Sequence, residues 1–158
     1  MRKMFLINFI MALLIIAFFS VHTDKPATAA ASDSYFVAVG GSDRNPGTEE
    51  DPWATIQKAA ESAAPGSTVY IKAGTYYERV NIKVSGTSAD EPVIFRNYNK
   101  DRVIIDGSRT SASEQEDLIR ISNKNFVRIT GLELTGNVSG EKDSLITGIG
   151  IWGKGEGI

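Results

Sequence analysis

The sequence predicts an all-β fold: a parallel β-helix, a solenoid of about four coils, with one short α-helix capping its amino-terminal end. Three observations point there. An apolar tetrad recurs as Val69-Tyr70-Ile71-Lys72, Val93-Ile94-Phe95-Arg96 and Leu118-Ile119-Arg120-Ile121, at a nearly even spacing of about 24 residues. A second series, Val80-Asn81-Ile82, Val103-Ile104-Ile105 and Val127-Arg128-Ile129, runs in phase, each member following its partner at a nearly constant interval. Turn formers punctuate these segments, and only one stretch of the chain carries a helical period. Self-similarity at such a spacing marks units that cannot bury their apolar faces alone and must stack on neighbours. Short strands that pair with their equivalents one coil along, about 4.8 Å away, make a parallel β-helix rather than a helical solenoid.

The elements follow in order. Arg2 and Lys3 precede an apolar run from Met4 to Phe19, and a polar stretch then leads to Ala29-Ala30-Ala31. That order of charge, apolar core and small residues is that of a secretory signal peptide over residues 1–31, cut after Ala31, and it predicts a secreted protein. A retained membrane anchor is the competing reading, although the run falls short of the roughly 20 residues needed to span hydrocarbon. Asn8 interrupts it, and His22, the one histidine, lies in this segment. The chain has no cysteine, so neither a lipid anchor at this site nor a disulfide is available, and the fold must hold by burial.

Residues 1–31 hold Arg2, Lys3, Lys25 and Asp24; without them the chain keeps 14 basic and 18 acidic groups, a net charge of −4 against −2 for the whole. This mild acidity argues against a nucleic-acid partner. The remaining residues, 32–158, suffice for one core and one domain, with a cap over 35–66 and coils over 67–158.

Tyr35-Phe36-Val37-Ala38-Val39 reads as a strand, followed by a dense cluster of turn formers from Gly40 to Thr48. The helix is expected over 52–64. Asp51 serves as N-cap and Pro52 as first helical residue, Trp53, Ile56, Ala60 and Ala63 share one face, and Pro65-Gly66 ends it. Placed just before the first repeating strand, it would cover an otherwise bare coil end.

In the coils the expected inward positions are Val69, Ile71, Val80, Ile82, Val93, Phe95, Val103, Ile105, Leu118 or Ile119, Val127 and Ile129. Gly107 and Gly131, one period apart, would close the second strand of successive coils, with Leu132-Glu133-Leu134 a third segment. Asn99 and Asn123 share the same spacing; they are either stacked amides or unrelated turn residues. Ile146-Thr147-Gly148-Ile149-Gly150-Ile151-Trp152 opens another coil with no cap after it. The expectation is therefore the amino-terminal portion of a longer protein.

Several motifs carry a resemblance. They are Tyr35-Phe36-Val37, Gly41-Ser42-Asp43, Asn45-Pro46-Gly47-Thr48, Pro52-Trp53-Ala54-Thr55-Ile56-Gln57-Lys58-Ala59, and the run from Pro65-Gly66-Ser67-Thr68 to Gly74-Thr75-Tyr76-Tyr77-Glu78. Together they resemble the amino-terminal region of secreted right-handed parallel β-helix proteins, the family nine pectate lyases and chondroitinase B type lyases above all, over residues 35 to about 152. These motifs are specific for fold and not for substrate.

The resemblance implies a polysaccharide lyase whose partner is an acidic polysaccharide such as pectate, monomeric when full length. β-Elimination removes the weakly acidic C5 proton of a uronate. A Ca²⁺ ion neutralises the adjacent carboxylate, and an unprotonated Lys or Arg is the base. In the families resembled, the carboxylates that converge on Ca²⁺ lie on coils further along than residue 158. Hence no catalytic, cofactor-binding or metal residue is assigned in this chain, Ca²⁺ belongs to the full-length parent, and the chain alone is expected to be inactive. A noncatalytic carbohydrate-binding or surface β-helix is the alternative. A glycoside hydrolase with paired carboxylates is a third, told apart by the lack of unsaturated product.

Within the chain, Asp43 and Asn45 read as a turn, with a calcium loop as the competing reading. Glu114, Glu116 and Asp117, followed one period later by Glu141 and Asp143, form two acidic loops, with Arg109 and Lys142 nearby. They read as solvated faces, with a metal site as the sharper reading. Tyr76, Tyr77, Phe95, Tyr98 and Phe126 either pack internally or present a sugar platform. Asp106 reads as a turn carboxylate, and Asn137-Val138-Ser139 as a loop that happens to spell a glycosylation triplet.

Overall fold

The computed structural model describes residues 34–110, 117–136 and 148–153. Ten short strands and one helix follow in the order β1 (Ser34–Val37), α1 (Ile56–Ser62), β2 (Thr68–Ile71), β3 (Gly74–Tyr76), β4 (Val80–Ile82), β5 (Val93–Asn97), β6 (Val103–Asp106), β7 (Ile119–Ser122), β8 (Val127–Thr130), β9 (Leu132–Thr135) and β10 (Ile149–Trp152). They form three sheets with strand orders β1-β2-β5-β8, β3-β6-β9 and β4-β7-β10, and every pairing is parallel. The chain visits the three sheets in turn, three times over, after β1 has laid the first rung. This is a parallel β-helix with three full coils among the described residues, one fewer than expected.

Alternation puts one side of every strand into the shared interior. Val69, Ile71, Val80, Val93, Phe95, Val103 and Ile105 are at most 1% exposed, with Ile82, Leu118, Ile119 and Val127 also buried. Ile129, on the last rung of its sheet, packs half-buried against the same cluster. The predicted inward set is therefore the observed core, to which the structure adds Tyr76 and Ile121. Removing each such side chain from water contributes about 1.5–3 kcal/mol.

The stacking partners differ from expectation. Val69 lies beside Phe95, and Phe95 beside Ile129, so the first two tetrads do share a sheet. The third, at Leu118, does not: β7 lies on β4, with Val80 beside Ile119 and Ile82 beside Ile121. The second series scatters completely, with Val80, Val103 and Val127 in three different sheets. Stacked positions run Val69, Phe95, Ile129 in the first sheet, Gly74, Val103, Leu132 in the second and Val80, Ile119, Ile149 in the third. Those intervals are unequal and all longer than the spacing of the tetrads, which is thus not the coil repeat.

The reason lies in the corners. From the first sheet to the second the chain uses two residues in the first coil, five in the second and only Gly131 in the third. Spacing along a sequence counts loop residues, whereas stacking ignores them. Gly107 and Gly131 likewise occupy different corners. Gly107 opens a single 3-10 turn after β6, and Gly131, at φ 71, turns β8 into β9. Asn99 and Asn123 sit after β5 and β7, in different corners, each in the left-handed region at φ 45 and 51, so they are separate turn residues.

The helix is shorter than predicted, and its N-cap is Thr55 rather than Asp51. Trp53 is held in extended pairing with β1: its N–H donates to Phe36 O and its carbonyl accepts from Ala38 N–H, both at 2.9 Å. Residues 52–54 therefore cannot also be helical. The expected face is correct, since Trp53, Ile56, Ala60 and Ala63 are all buried, as is Ala59. The helix packs on β4, where the Gln57 side-chain amide accepts from Asn81 N–H at 2.7 Å and donates to Asn81 O at 3.3 Å. One glutamine side chain thereby satisfies the open edge of the third sheet as a further strand would.

Candidate functional site

On the outward face of the third sheet, Asn81, Arg120 and Gly150 are in register on β4, β7 and β10. The Arg120 Nε–H donates to Asp117 Oδ2 at 3.0 Å, and the Trp152 indole Nε1–H donates to the same oxygen at 3.2 Å. Asp117 is 2% exposed. Such a carboxylate must be paired to be tolerated. A Cβ on Gly150 would overlap the Asp117 carboxyl group, so glycine at this point of β10 is what lets the third coil close over it. Trp152 is left 54% exposed. A fixed guanidinium beside a rigid open indole is an arrangement that can stack a sugar ring and meet a carboxylate.

The other residues singled out from sequence have structural work. Asp43 Oδ1 accepts from the N–H groups of Ala54 and Thr55, both at 3.0 Å, and its Oδ2 accepts from Thr55 Oγ1–H at 2.9 Å. Asn45 donates to Pro52 O, and its own carbonyl accepts the Trp53 indole N–H at 2.8 Å. These two residues lock the entry to α1. Glu78 completes that entry, its two oxygens accepting from Ile56 and Gln57 N–H at 2.9 and 2.8 Å. Burial, with a smaller push from the Asp43 charge, raises its carboxyl above the usual range despite these bonds.

Tyr76 is a core residue whose hydroxyl donates to Lys72 O at 2.8 Å, and burial pushes its phenol far above the ordinary value. Phe95 is core. Phe126 forms a corner at φ 54, where its carbonyl accepts Val93 N–H. Tyr77 is exposed with the Arg109 guanidinium 3.7 Å from its ring centre, and Tyr98 lies on the outer face of the first sheet against Phe36 and Tyr70. Asp106 accepts from Ser108 N–H at 2.8 Å, a turn carboxylate as expected, and the Ser108 bonds hold its pKa below the usual value.

Of the two acidic loops only Asp117 is described. Glu114, Glu116, Glu141, Lys142 and Asp143 lie outside the described residues, as do His22, the signal segment and the Asn137-Val138-Ser139 triplet. The described residues do not fit a calcium site. No group of three or more His, Cys, Asp or Glu among them could hold a metal, and Asp43, Glu78, Asp106 and Asp117 already accept hydrogen bonds from the protein. Sequence reasoning missed Arg120 and Trp152 as a pair. They stand far apart along the chain, and only the register between β7 and β10 joins them.

Known proteins agree with this architecture. The chain is 39% identical over 160 residues to the uncharacterized protein YwoF of Bacillus subtilis (strain 168), covering 98% of this chain and 33% of that protein. Over 84 residues it is 43% identical to pectate lyase PEL9 of Emericella nidulans, covering 52% of this chain and 20% of that enzyme. The chain thus spans about a third or less of the curated relatives it matches. Among solved structures, a rhamnogalacturonan lyase superposes with a TM-score of 0.51 at 27% identity, over 64% of this chain and 28% of that one. The family described as "Pel9A-like, right handed beta helix region" matches residues 35–157. With nearly the whole of the described solenoid inside that match, the chain belongs to the Pel9A-like right-handed β-helix family, a polysaccharide-lyase-like fold.

Proposed function

We propose that this chain is the amino-terminal part of a secreted polysaccharide lyase that cleaves a uronate polymer such as pectate by β-elimination with Ca²⁺. The observation that carries the reading is the exposed Trp152 ring beside an Arg120 guanidinium fixed by Asp117, on the outward face of a lyase-like solenoid. The similarity to a pectate lyase and a rhamnogalacturonan lyase supports an acidic polysaccharide as partner. In this reading the described residues bind and orient the polymer. The base and the metal ligands are other residues of the full-length protein, and no step of the chemistry is assigned to the described carboxylates.

A noncatalytic saccharide-binding β-helix is the second reading, favoured by the engagement of Asp43, Glu78, Asp106 and Asp117 in internal hydrogen bonds. Incubation with polygalacturonate and Ca²⁺, followed by ultraviolet absorbance of unsaturated ends, separates the two. The full-length protein should give a calcium-dependent signal and residues 32–158 none. Binding of the polymer by the full-length protein without any unsaturated product would leave the second reading standing. Inversion or retention at the anomeric carbon without unsaturation would point instead to a glycoside hydrolase.

A further inference from the structure

The outer face of the first sheet carries a second constellation, on a different side of the solenoid from Arg120 and Trp152. Parallel pairing aligns Phe36, Tyr70 and Arg96 on consecutive rungs β1, β2 and β5, a column about 10 Å long. Phe36 and Tyr70 stack with ring centres 5.4 Å apart, and Tyr98 meets both edge-on at 5.8 and 5.9 Å. Three half-buried aromatic rings on an outward sheet face form a rigid apolar floor.

Cations surround this floor. The Lys72 ammonium sits 5.7 Å from the Phe36 and Tyr98 ring centres, anchored by donation to Glu49 O at 3.0 Å. Arg96 and Lys100 are exposed and line an open groove beside Tyr70 with Asn97 and Asn99. The salt bridges among the described residues lie elsewhere, at Lys83–Glu61, Arg102–Glu133 and Arg120–Asp117. The acids near the groove are turned to other tasks: Glu49 accepts from the Tyr98 hydroxyl, and Asp101 accepts from Ala73 N–H. The rim is also set in an uncommon backbone. Asn99 and Lys100 are consecutive non-glycine residues at φ 45 and 65, held by Asp101 N–H donating to Tyr98 O and by the Asn97 amide donating to Asp101 O. Non-glycine residues are uncommon in that region, and such conformations recur at ligand clamps.

We propose that this groove is a second binding site, for an anionic oligosaccharide of the hexuronate type, whose ring stacks on Tyr70 and whose carboxylates meet Arg96 and Lys100. Charge complementarity selects an acidic sugar over a neutral one, and the aromatic floor selects a sugar over a simple anion. The ligand class follows the acidic-polysaccharide reading above; the location does not depend on it.

The test titrates the full chain, by calorimetry and amide chemical shifts, with unesterified oligogalacturonate, its methyl ester and inorganic phosphate. Binding of the unesterified sugar should fall about tenfold or more on esterification and in Arg96→Ala/Lys100→Ala, matching the loss of one or two charge-assisted hydrogen bonds. Shifts should centre on residues 96–100, Arg96→Lys should recover part of the affinity, and Lys83→Ala, at an exposed lysine paired with Glu61 outside both surfaces, should leave it unchanged. A double variant that melts normally and binds as tightly as the parent overturns the proposal, as does equal binding of the ester or of phosphate, or no binding at all. Lyase activity is scored separately. Sugar binding at 96–100 with no unsaturated product from the full-length protein would sink the enzymatic reading and leave this site, and product formation by the full-length protein without that binding would do the reverse.

Discussion

Replacing Phe95 by alanine should remove more stability than any other single truncation in the first sheet. Phe95 is 1% exposed and sits on the middle rung of the solenoid, between Val69 on one side and Ile129 on the other. Its ring contacts the interior from a rung that cannot slide toward either neighbour without breaking parallel hydrogen bonds on the opposite edge, so the cavity collapses little. Truncating a buried phenylalanine under such conditions costs about 3–5 kcal/mol. Against a total stability of about 5–15 kcal/mol for a domain of this kind, that is about a fifth of it or more. At roughly 2–8 °C per kcal/mol the midpoint of thermal unfolding should drop by about 6 °C or more. Circular dichroism melts and urea titrations of the parent and variant measure it, with the exposed Lys100→Ala as a control expected within about 0.5 kcal/mol of the parent. Phe95→Leu should fall between the two. A loss below about 1 kcal/mol for Phe95→Ala would mean that this ring is not enclosed by both neighbouring coils, and the three-sheet register would be wrong.

Other outcomes follow from single contacts. Gly150→Ala should cost about 1–3 kcal/mol in urea unfolding, because the new methyl meets the buried Asp117 carboxyl, whereas Gly40→Ala, with open space around it, should be neutral or slightly stabilising. Asp43→Ala removes the acceptor for two backbone N–H groups at the entry to α1 and should lower stability by about 1–2 kcal/mol with an unchanged m-value. For Glu78 the folded carboxyl titrates above its ordinary value because it is buried. Its protonation therefore favours the folded state at low pH, and that advantage is lost as pH rises through the raised value. Compared with Glu78→Gln, the parent should gain stability as pH is lowered from 7 toward the ordinary carboxylate range; a difference that stays flat or moves the other way would contradict the burial argument. Asp106, Glu61 and Glu133 shift downward and are common to both proteins, so they cancel in this comparison.

The sequence by itself determined the class of fold and the identity of the core. Alternating Val and Ile in short segments, cut by turn formers, can bury one face only by stacking coils. Hence Val69, Phe95, Val103 and Ile119 were legible as inward residues whatever their partners, and Trp53, Ile56 and Ala60 as the buried face of a helix. The period of two along a strand is a local property, and so it survives any error in pairing. What lies beside what was decided only in three dimensions. Corners of very different length change the spacing between stacked rungs without changing the rungs themselves, so an even spacing of apolar tetrads concealed unequal repeats, from Val69 to Phe95 in one sheet and from Val80 to Ile119 in another. Both surfaces proposed to contact saccharide depend on that hidden register. Phe36, Tyr70 and Arg96 form a column, and Arg120 meets Trp152, because parallel hydrogen bonding aligns distant strands, and no pattern along the chain records which strands those are. The helix start was likewise settled by competition: Asp51-Pro52 is a good local signal, but pairing of Trp53 with β1 draws the same backbone groups into the first rung, and the tertiary bonds prevail.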